Sequence, residues 1–310
     1  METAKSILKT VAYFDMFDYP LLAPEIRSFL ERSATQAETE QALRQLVSSG
    51  RLFQLAEFYS LRNDPSLATR RRAGNQRAAQ LLGTGHRIGR RLSRFPFVRG
   101  VGISGSLSKN YADESADIDF FIITSSNRLW IARTLLHGLK KLSFLAGRQH
   151  WYCMNYFIDE AALEMPEKNI FIAAEAVTLQ PVAGLDALSK FRTANEWAFR
   201  FFPNYSQPDS PYFSHKVTGA WFQRLAEKLF AHRAGSMLDN YLMRLTAKRW
   251  MKKERTQKKN IKGDVLSLRA GKHFARPNPD HFQKKILDRY TASIASLEPA
   301  AAISSTAFSE

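Results

Sequence analysis

Apolar residues return at helical spacing from the start of the chain. Ile7, Leu8, Val11 and Phe14 share one face, which predicts an amphipathic helix ended by Pro20. A second short helix is expected after Pro24 and a third from about Thr35 to Ser48, where Gly50 breaks the pattern. The runs Arg51–Leu55 and Phe58–Leu61 then read as a hairpin. From Pro65 to about Arg94 breakers are few until Gly83 and Gly85, and apolar positions are sparse, which predicts a long connecting helix. After Pro96, the positions Val98, Val101 and Ile103 predict a strand. Ala116–Thr124 predicts a second and His150–Ile158 a third, with an amphipathic helix over Leu129–Leu145 between them. Residues 168–202 read as helix in two pieces separated by Pro181 and Gly184. Residues 214–258 read as helix with a basic surface, and the polar stretch after Pro299 is expected to fray.

These elements divide the chain into an N-terminal module (1–64), a connecting helix (65–97), a core (98–200), a basic helical C-terminal region (201–298) and a flexible tail (299–310). The expected class is α+β: a small mixed sheet with flanking helices, between a helical N-terminal module and a helical C-terminal region. The three helices and hairpin of residues 2–62 resemble a winged helix-turn-helix, a fold that can lay its third helix in a DNA major groove. Here that stretch, TQAETEQALRQLVSS, carries Glu38 and Glu40 and a single arginine, poor material for phosphate contact. Packing against its own chain or a protein partner is therefore the expectation for residues 2–62.

Composition narrows the picture. An apolar content of 45% fits a globular chain, no uninterrupted apolar run reaches membrane-spanning length, and METAKSILKTVAYF lacks the order of a secretory signal, so a cytoplasmic location is expected. Cys153 is the only cysteine, which excludes an intramolecular disulfide and a cysteine-based zinc site. The formal charge of +16 favours polyanionic partners. The excess gathers at Arg70–Arg72, at Arg87, Arg90, Arg91 and Arg94, and from Lys248 to Lys262, where solvated helix faces and nucleic-acid contact are both open readings.

The chemistry concentrates in two segments. Asp117 and Asp119, two apart at a strand start, point to one face while Ile118 turns to the other. Carboxylates crowded in this way repel unless a cation lies between them, and oxygen-only ligands favour a hard ion such as magnesium, which takes the rest of its shell from water and substrate phosphates. Upstream, Ile103-Ser104-Gly105-Ser106-Leu107-Ser108 leaves a strand and is expected to open a helix, so that its amides and the Ser106 hydroxyl can face a phosphate. Lys109 stands beside it, either neutralising phosphate or exposed to solvent.

A strand ending in Gly105-Ser106, a short helical excursion, and a strand bearing Asp117-x-Asp119 resemble the DNA polymerase beta-like nucleotidyltransferase superfamily. The likeness spans about Arg99 to Ile158, roughly a fifth of the chain, and rests on order and context. It implies a magnesium-dependent enzyme that moves a nucleoside monophosphate from an NTP to a hydroxyl. Gly105, Ser106, Ser108 and Lys109 would hold the nucleotide, and Asp117 and Asp119 two magnesium ions. The family pattern includes a third carboxylate on the neighbouring strand. The matching position here holds Asn155, so the third ligand would be Asn155 itself, Asp159 or Glu175, or else the site binds nucleotide with weak or absent transfer.

Other residues receive plainer readings. Arg133 is either a phosphate contact or a surface cation. His150, with no second metal-type ligand near it in sequence, is read as structural. Asn195 and Trp197 in TANEWAFRFFPN resemble a stretch recurrent in bacterial members of the superfamily, though an aromatic at this spacing also suits a core. Lys248, Arg249, Lys252 and Lys253 offer a nucleic-acid or other polyanionic acceptor a basic surface. Three functions therefore compete: NTP-dependent transfer, nucleotide or nucleic-acid binding without transfer under a regulatory N-terminal module, and DNA binding led by residues 2–62.

Overall fold

The computed structural model describes residues 2–145, 147, 149–206, 221–256, 268–277 and 280–297, and the chain divides into two compact units. The first is drawn from Met1–Arg70, Phe201–Tyr205 and Gln283–Glu310. Its elements are α1 (Glu2–Asp15), β1 (Leu21–Leu22), α2 (Ala23–Ser28), α3 (Gln36–Ser48), β2 (Phe53–Leu55) and β3 (Phe58–Ser60), and the strands form an antiparallel sheet in the order β1-β3-β2. Ile7, Leu8, Val11 and Phe14 are buried as the helical spacing predicts. Thr35 starts α3 with a capping box: its hydroxyl accepts from the Glu38 amide at 3.2 Å and the Glu38 carboxylate accepts from the Thr35 amide at 2.7 Å. The solvent face of α3 presents Gln36, Glu38, Gln41, Arg44 and Gln45.

This unit also takes in chain from outside the module that the sequence outlines. The last described helix, Asp280–Leu297, contributes buried Ile286 and sets Tyr290 edge-on to Tyr13 at 5.7 Å. Phe202 and Tyr205 flank Phe29, each at 5.3 Å between ring centres.

The second unit is drawn from Arg71–Arg200 and Ser206–Phe282. Its elements run α4 (Ser66–Leu92, entering from the first unit), β4 (Val98–Ile103), α5 (Gly105–Ser108), β5 (Asp119–Thr124), α6 (Leu129–Leu145), a 3-10 turn (Gln149–Trp151), β6 (Cys153–Asp159), α7 (Ile170–Val177), β7 (Gln180–Ala183), α8 (Leu185–Ala194) and α9 (Glu196–Phe201), followed by α10 (Trp221–Leu229), α11 (Arg233–Arg255), β8 (Leu268–Ala270) and β9 (Phe274–Pro277); the last described helix, α12 (Asp280–Leu297), passes into the first unit at Gln283. The sheet order is β7-β4-β5-β6-β9-β8; β5 and β6 pair in parallel and every other neighbour is antiparallel.

Alternation along the strands separates two cores. Ile103, Phe120, Ile122, Met154 and Phe157 face one side, with Ala78, Ile88 and Leu92 of α4, Trp130 and Leu136 of α6 and Trp250 of α11. Phe121, Ile123 and Ile158 face the other, with Ile172 of α7 and Leu188 and Phe191 of α8. The second half of α4 is therefore part of the core more than a linker. It comes so close to the sheet that a Cβ at Gly89 would stand 2.7 Å from Val182.

Several expectations need correction. Pro181 and Gly184 do not merely separate two helices. Pro181 lies inside β7 and Gly184 follows it; the strand tolerates a proline because it is the sheet edge, where no second ladder needs the missing N–H. The C-terminal region is not all helix: β8 and β9 extend the sheet beyond β6. In the cluster Arg70–Arg72, Arg70 pairs with Asp18 at 2.8 Å and Arg71 is buried, donating to Asn75 at 2.8 Å. Of the Lys248–Lys262 run, residues 257–262 lie outside the described residues, as does the tail after Pro299. No described helix is long and apolar enough to cross a membrane.

Candidate active site

The expected segments meet at the beginning of β5. The Ser104 amide donates to the Asp119 carbonyl at 2.9 Å, and the Ile118 amide to the His150 carbonyl at 3.0 Å, so the lead-ins to β5, α5 and β6 are tied together. Gly105 has φ +69°, and a Cβ there would stand 2.5 Å from Asp119 Oδ2. Glycine is needed twice over, for the left-handed backbone and for the closeness of the carboxylate. The segment that follows is a single helical turn of four residues, too short to carry a useful macrodipole, so any phosphate contact would rest on local groups such as the exposed Ser106 hydroxyl.

The other candidate nucleotide ligands have internal partners. Ser108 is buried and donates to the Gly105 carbonyl at 2.8 Å, with the Thr178 hydroxyl 3.3 Å away. It braces the turn and does not face outward. Lys109 Nζ lies 2.7 Å from Glu175 Oε1 and donates to the Gly105 carbonyl at 3.1 Å.

Asp117 is exposed in the chain before β5, and Asp119 is the partly buried first residue of that strand. Burial pushes the Asp119 carboxyl up to about 7; Asp117 and Glu175 push the same way, while the Cys153 thiol and Lys140 oppose them.

The three candidates for a third ligand separate clearly. Residue Asp119 pairs with Cys153, Phe120 with Met154 and Phe121 with Tyr156, so Asn155 is the extra residue of a bulge and is exposed. Cys153, not Asn155, stands opposite Asp119. Its thiol is held protonated by burial and by Asp119. Asp159 pairs with Thr124 at the far end of the ladder, about 17 Å along the strand from Asp119. It is fully buried there, accepting from the amides of Asn127 and Ala161 at 2.9 Å and lying 3.0 Å from His273 Nδ1. Asp159 is thereby excluded from the site. Glu175 of α7 is brought in: its Oε2 accepts from the Gly105 amide at 3.3 Å.

His150 reads as structural from its sequence neighbours, but the fold brings a metal-type ligand beside it. Its Nδ1 lies 2.7 Å from Asp117 Oδ1, on the turn that leads into β6. Arg133 is buried against aromatic rings. Asn195 is fully buried and structural, with Oδ1 accepting from the Met165 amide and Nδ2 donating to the Leu163 and Phe191 carbonyls, each at 2.8 Å; Trp197 Nε1 donates to the same Oδ1 at 3.3 Å.

As a metal site the donor set is two carboxylates with a third nearby. No group of three or more His, Cys, Asp or Glu among the described residues is arranged to hold an ion by itself. Two carboxylates completed by substrate phosphates suit magnesium, which rarely takes an all-protein cage. Comparison with protein-family models, curated proteins and solved structures returned no match.

Proposed function

We propose that the second unit is a magnesium-dependent nucleotidyltransferase that passes a nucleoside monophosphate from an NTP to a hydroxyl acceptor. The observation that carries this reading is the approach of Asp119 and Glu175 to Gly105, with burial first and then Asp117 and Glu175 pushing the Asp119 carboxyl up to about 7. Asp117 and Asp119 would hold magnesium between themselves and the NTP phosphates. When bound, the ion supplies charge neutralisation to the phosphates and the departing pyrophosphate. Gly105 lets the backbone come close to the triphosphate, and the Ser106 hydroxyl donates to one of its oxygens. His150 orients Asp117 through the 2.7 Å contact. Glu175 is the nearby carboxylate suited to take the proton of the attacking hydroxyl once Lys109 shifts to phosphate.

The first unit is proposed to be a winged-helix module, on the order α1-β1-α2-α3-β2-β3. Its α3 surface, acidic and amide-rich, suits a protein partner better than a phosphate backbone. The proposed setting is the cytoplasm.

A second reading, binding without transfer, is favoured by two observations: Glu175 is held in an ion pair with Lys109, and the residue facing Asp119 across the ladder is a protonated cysteine. Pyrophosphate release from each NTP with magnesium and a panel of hydroxyl acceptors separates the two. Release that disappears in Glu175→Gln supports transfer. Magnesium-dependent NTP binding with no release from any acceptor supports the second reading.

A further inference from the structure

The face of the sheet opposite α7 carries a second, oppositely charged feature. Along α6, Arg133, His137, Lys140 and Lys141 recur at spacings that put them on one stripe of the helix. The helix α11 packs on α6, and Lys253 follows Trp250 by one turn on the same side. Towards its end α6 packs on β6 and on the turn that bears His150, so the stripe runs up to the edge where Asp117 and Asp119 stand.

Arg133 is the informative member. It is only 7% exposed, and its guanidinium lies over the rings of Trp250, Trp130 and Phe157 at 4.6, 5.5 and 5.9 Å. Its Nε is buried with no hydrogen-bond partner, and no carboxylate pairs with the side chain among the described residues. Aromatic faces soften the cost of burying this cation but leave its donors unused. Burial lowers its pKa only to about 10, so it stays charged at neutral pH. The groups that bear on neighbouring His137 are all cations: Arg133, Lys140, Lys141 and Lys253. After burial itself, they keep that imidazole neutral, near 3. A buried guanidinium with an unpartnered Nε, beside a histidine on which Lys140, Lys141 and Lys253 all bear, is what an anion-binding floor requires; of these lysines, Lys140 also faces Asp119. A planar guanidinium also offers phosphate a two-point contact that an ammonium does not.

We propose that the α6–α11 face is a binding site for phosphates carried in series, with Arg133 as its floor and Lys140, Lys141 and Lys253 as its rim. From Arg133 to Lys140 the stripe runs about 11 Å along the helix axis, a length that suits successive phosphates of a chain better than a single one. The stripe is distinct from the carboxylates but adjoins them. If the transfer reading holds, it seats the acceptor, and only this last step rests on that reading.

The test is fluorescence anisotropy of a labelled single-stranded oligothymidylate with the full chain, without magnesium, followed by competition with inorganic tripolyphosphate. The informative variants are the rim triple Lys140→Ala, Lys141→Ala, Lys253→Ala and the buried Arg133→Met, with circular dichroism to check folding. A control triple, Arg224→Ala, Lys228→Ala, Arg233→Ala, removes the same charge elsewhere. The stripe triple is expected to weaken binding more than tenfold and the control less than threefold. Should Arg133→Met fail to fold, the stripe triple still decides. Equal losses in stripe and control triples, or no binding of either probe to the natural chain, would overturn the proposal. Competition by tripolyphosphate identifies any phosphate chain as sufficient, and its absence identifies a nucleic-acid strand. Calorimetry of magnesium–NTP on the same proteins keeps the two readings apart: strand binding without NTP binding removes the transfer reading alone, and the reverse removes the stripe alone.

Discussion

Replacing Asp119 with asparagine should make the protein more stable at pH 8, and the size of the gain follows from the site. Burial, Asp117 and Glu175 hold the Asp119 carboxyl near 7 against an ordinary value of 3.8. Roughly three pH units at ~1.4 kcal/mol each give an upper bound of ~4 kcal/mol for keeping the group ionised in the fold. Asp119 retains some exposure, and solvent screening brings the expected figure to ~1–2 kcal/mol. The folded form holds this proton more tightly than the unfolded chain does. The contribution is therefore fully present below about pH 4, declines as the pH rises, and is lost above about pH 7. An asparagine side chain mimics the protonated acid at every pH. The stability gap between Asp119→Asn and the natural chain should thus be near zero at pH 4 and grow to ~1–2 kcal/mol at pH 8, a few degrees in melting temperature. Thermal melts at both pH values, with and without millimolar magnesium, measure it. Magnesium should raise the natural chain at pH 8 and leave the variant unmoved. A gap that is absent at pH 8, or equal at the two pH values, would refute the electrostatic argument.

Three further outcomes are expected. Gly105→Ala forces a Cβ into a left-handed backbone 2.5 Å from Asp119 Oδ2, so it should cost ~1–3 kcal/mol in urea melts and abolish magnesium-dependent nucleotide binding. Asp239 accepts from the amides of Trp130 and Ile131 at 2.8 and 2.9 Å, and Asp239→Ala, which strands both donors at the start of α6, should cost ~2–3 kcal/mol in the same melts. Lys109→Met removes the cation that lies 2.7 Å from Glu175 and beside the Gly105 carbonyl, and magnesium-dependent nucleotide affinity measured by calorimetry should fall about tenfold.

The parts of this protein that could be read from sequence are those governed by local rules. The spacing of Ile7, Leu8, Val11 and Phe14 fixes α1, and Thr35 with Glu38 marks the start of α3. Gly105-Ser106 and Asp117-x-Asp119 identify their own meeting place because a strand end, a tight turn and a strand start are each local events. What sequence did not disclose depends on pairing. The bulge at Asn155 shifts β6 by one residue and puts Cys153 opposite Asp119, and a one-residue shift leaves no mark in composition or hydropathy. Glu175 reaches Gly105 because α7 is followed by β7 at the sheet edge, and four residues containing a proline look like an interruption until the partner strand is known. Strands β8 and β9 pair beyond β6 after a long helical stretch, a non-local choice that basic, weakly apolar segments do not announce. The stripe Arg133, His137, Lys140 and Lys141 did follow helical spacing, but its meaning depends on Trp250 and Lys253, more than a hundred residues away in the chain.

The most direct test of the central claim is the calorimetric titration of NTP into the natural chain and into an Asp117→Asn, Asp119→Asn double variant, with and without magnesium. The account predicts binding that requires magnesium in the natural chain and is lost in the variant while its fold and pH 8 stability are retained. Equal NTP binding by both proteins, or binding indifferent to magnesium, would contradict it.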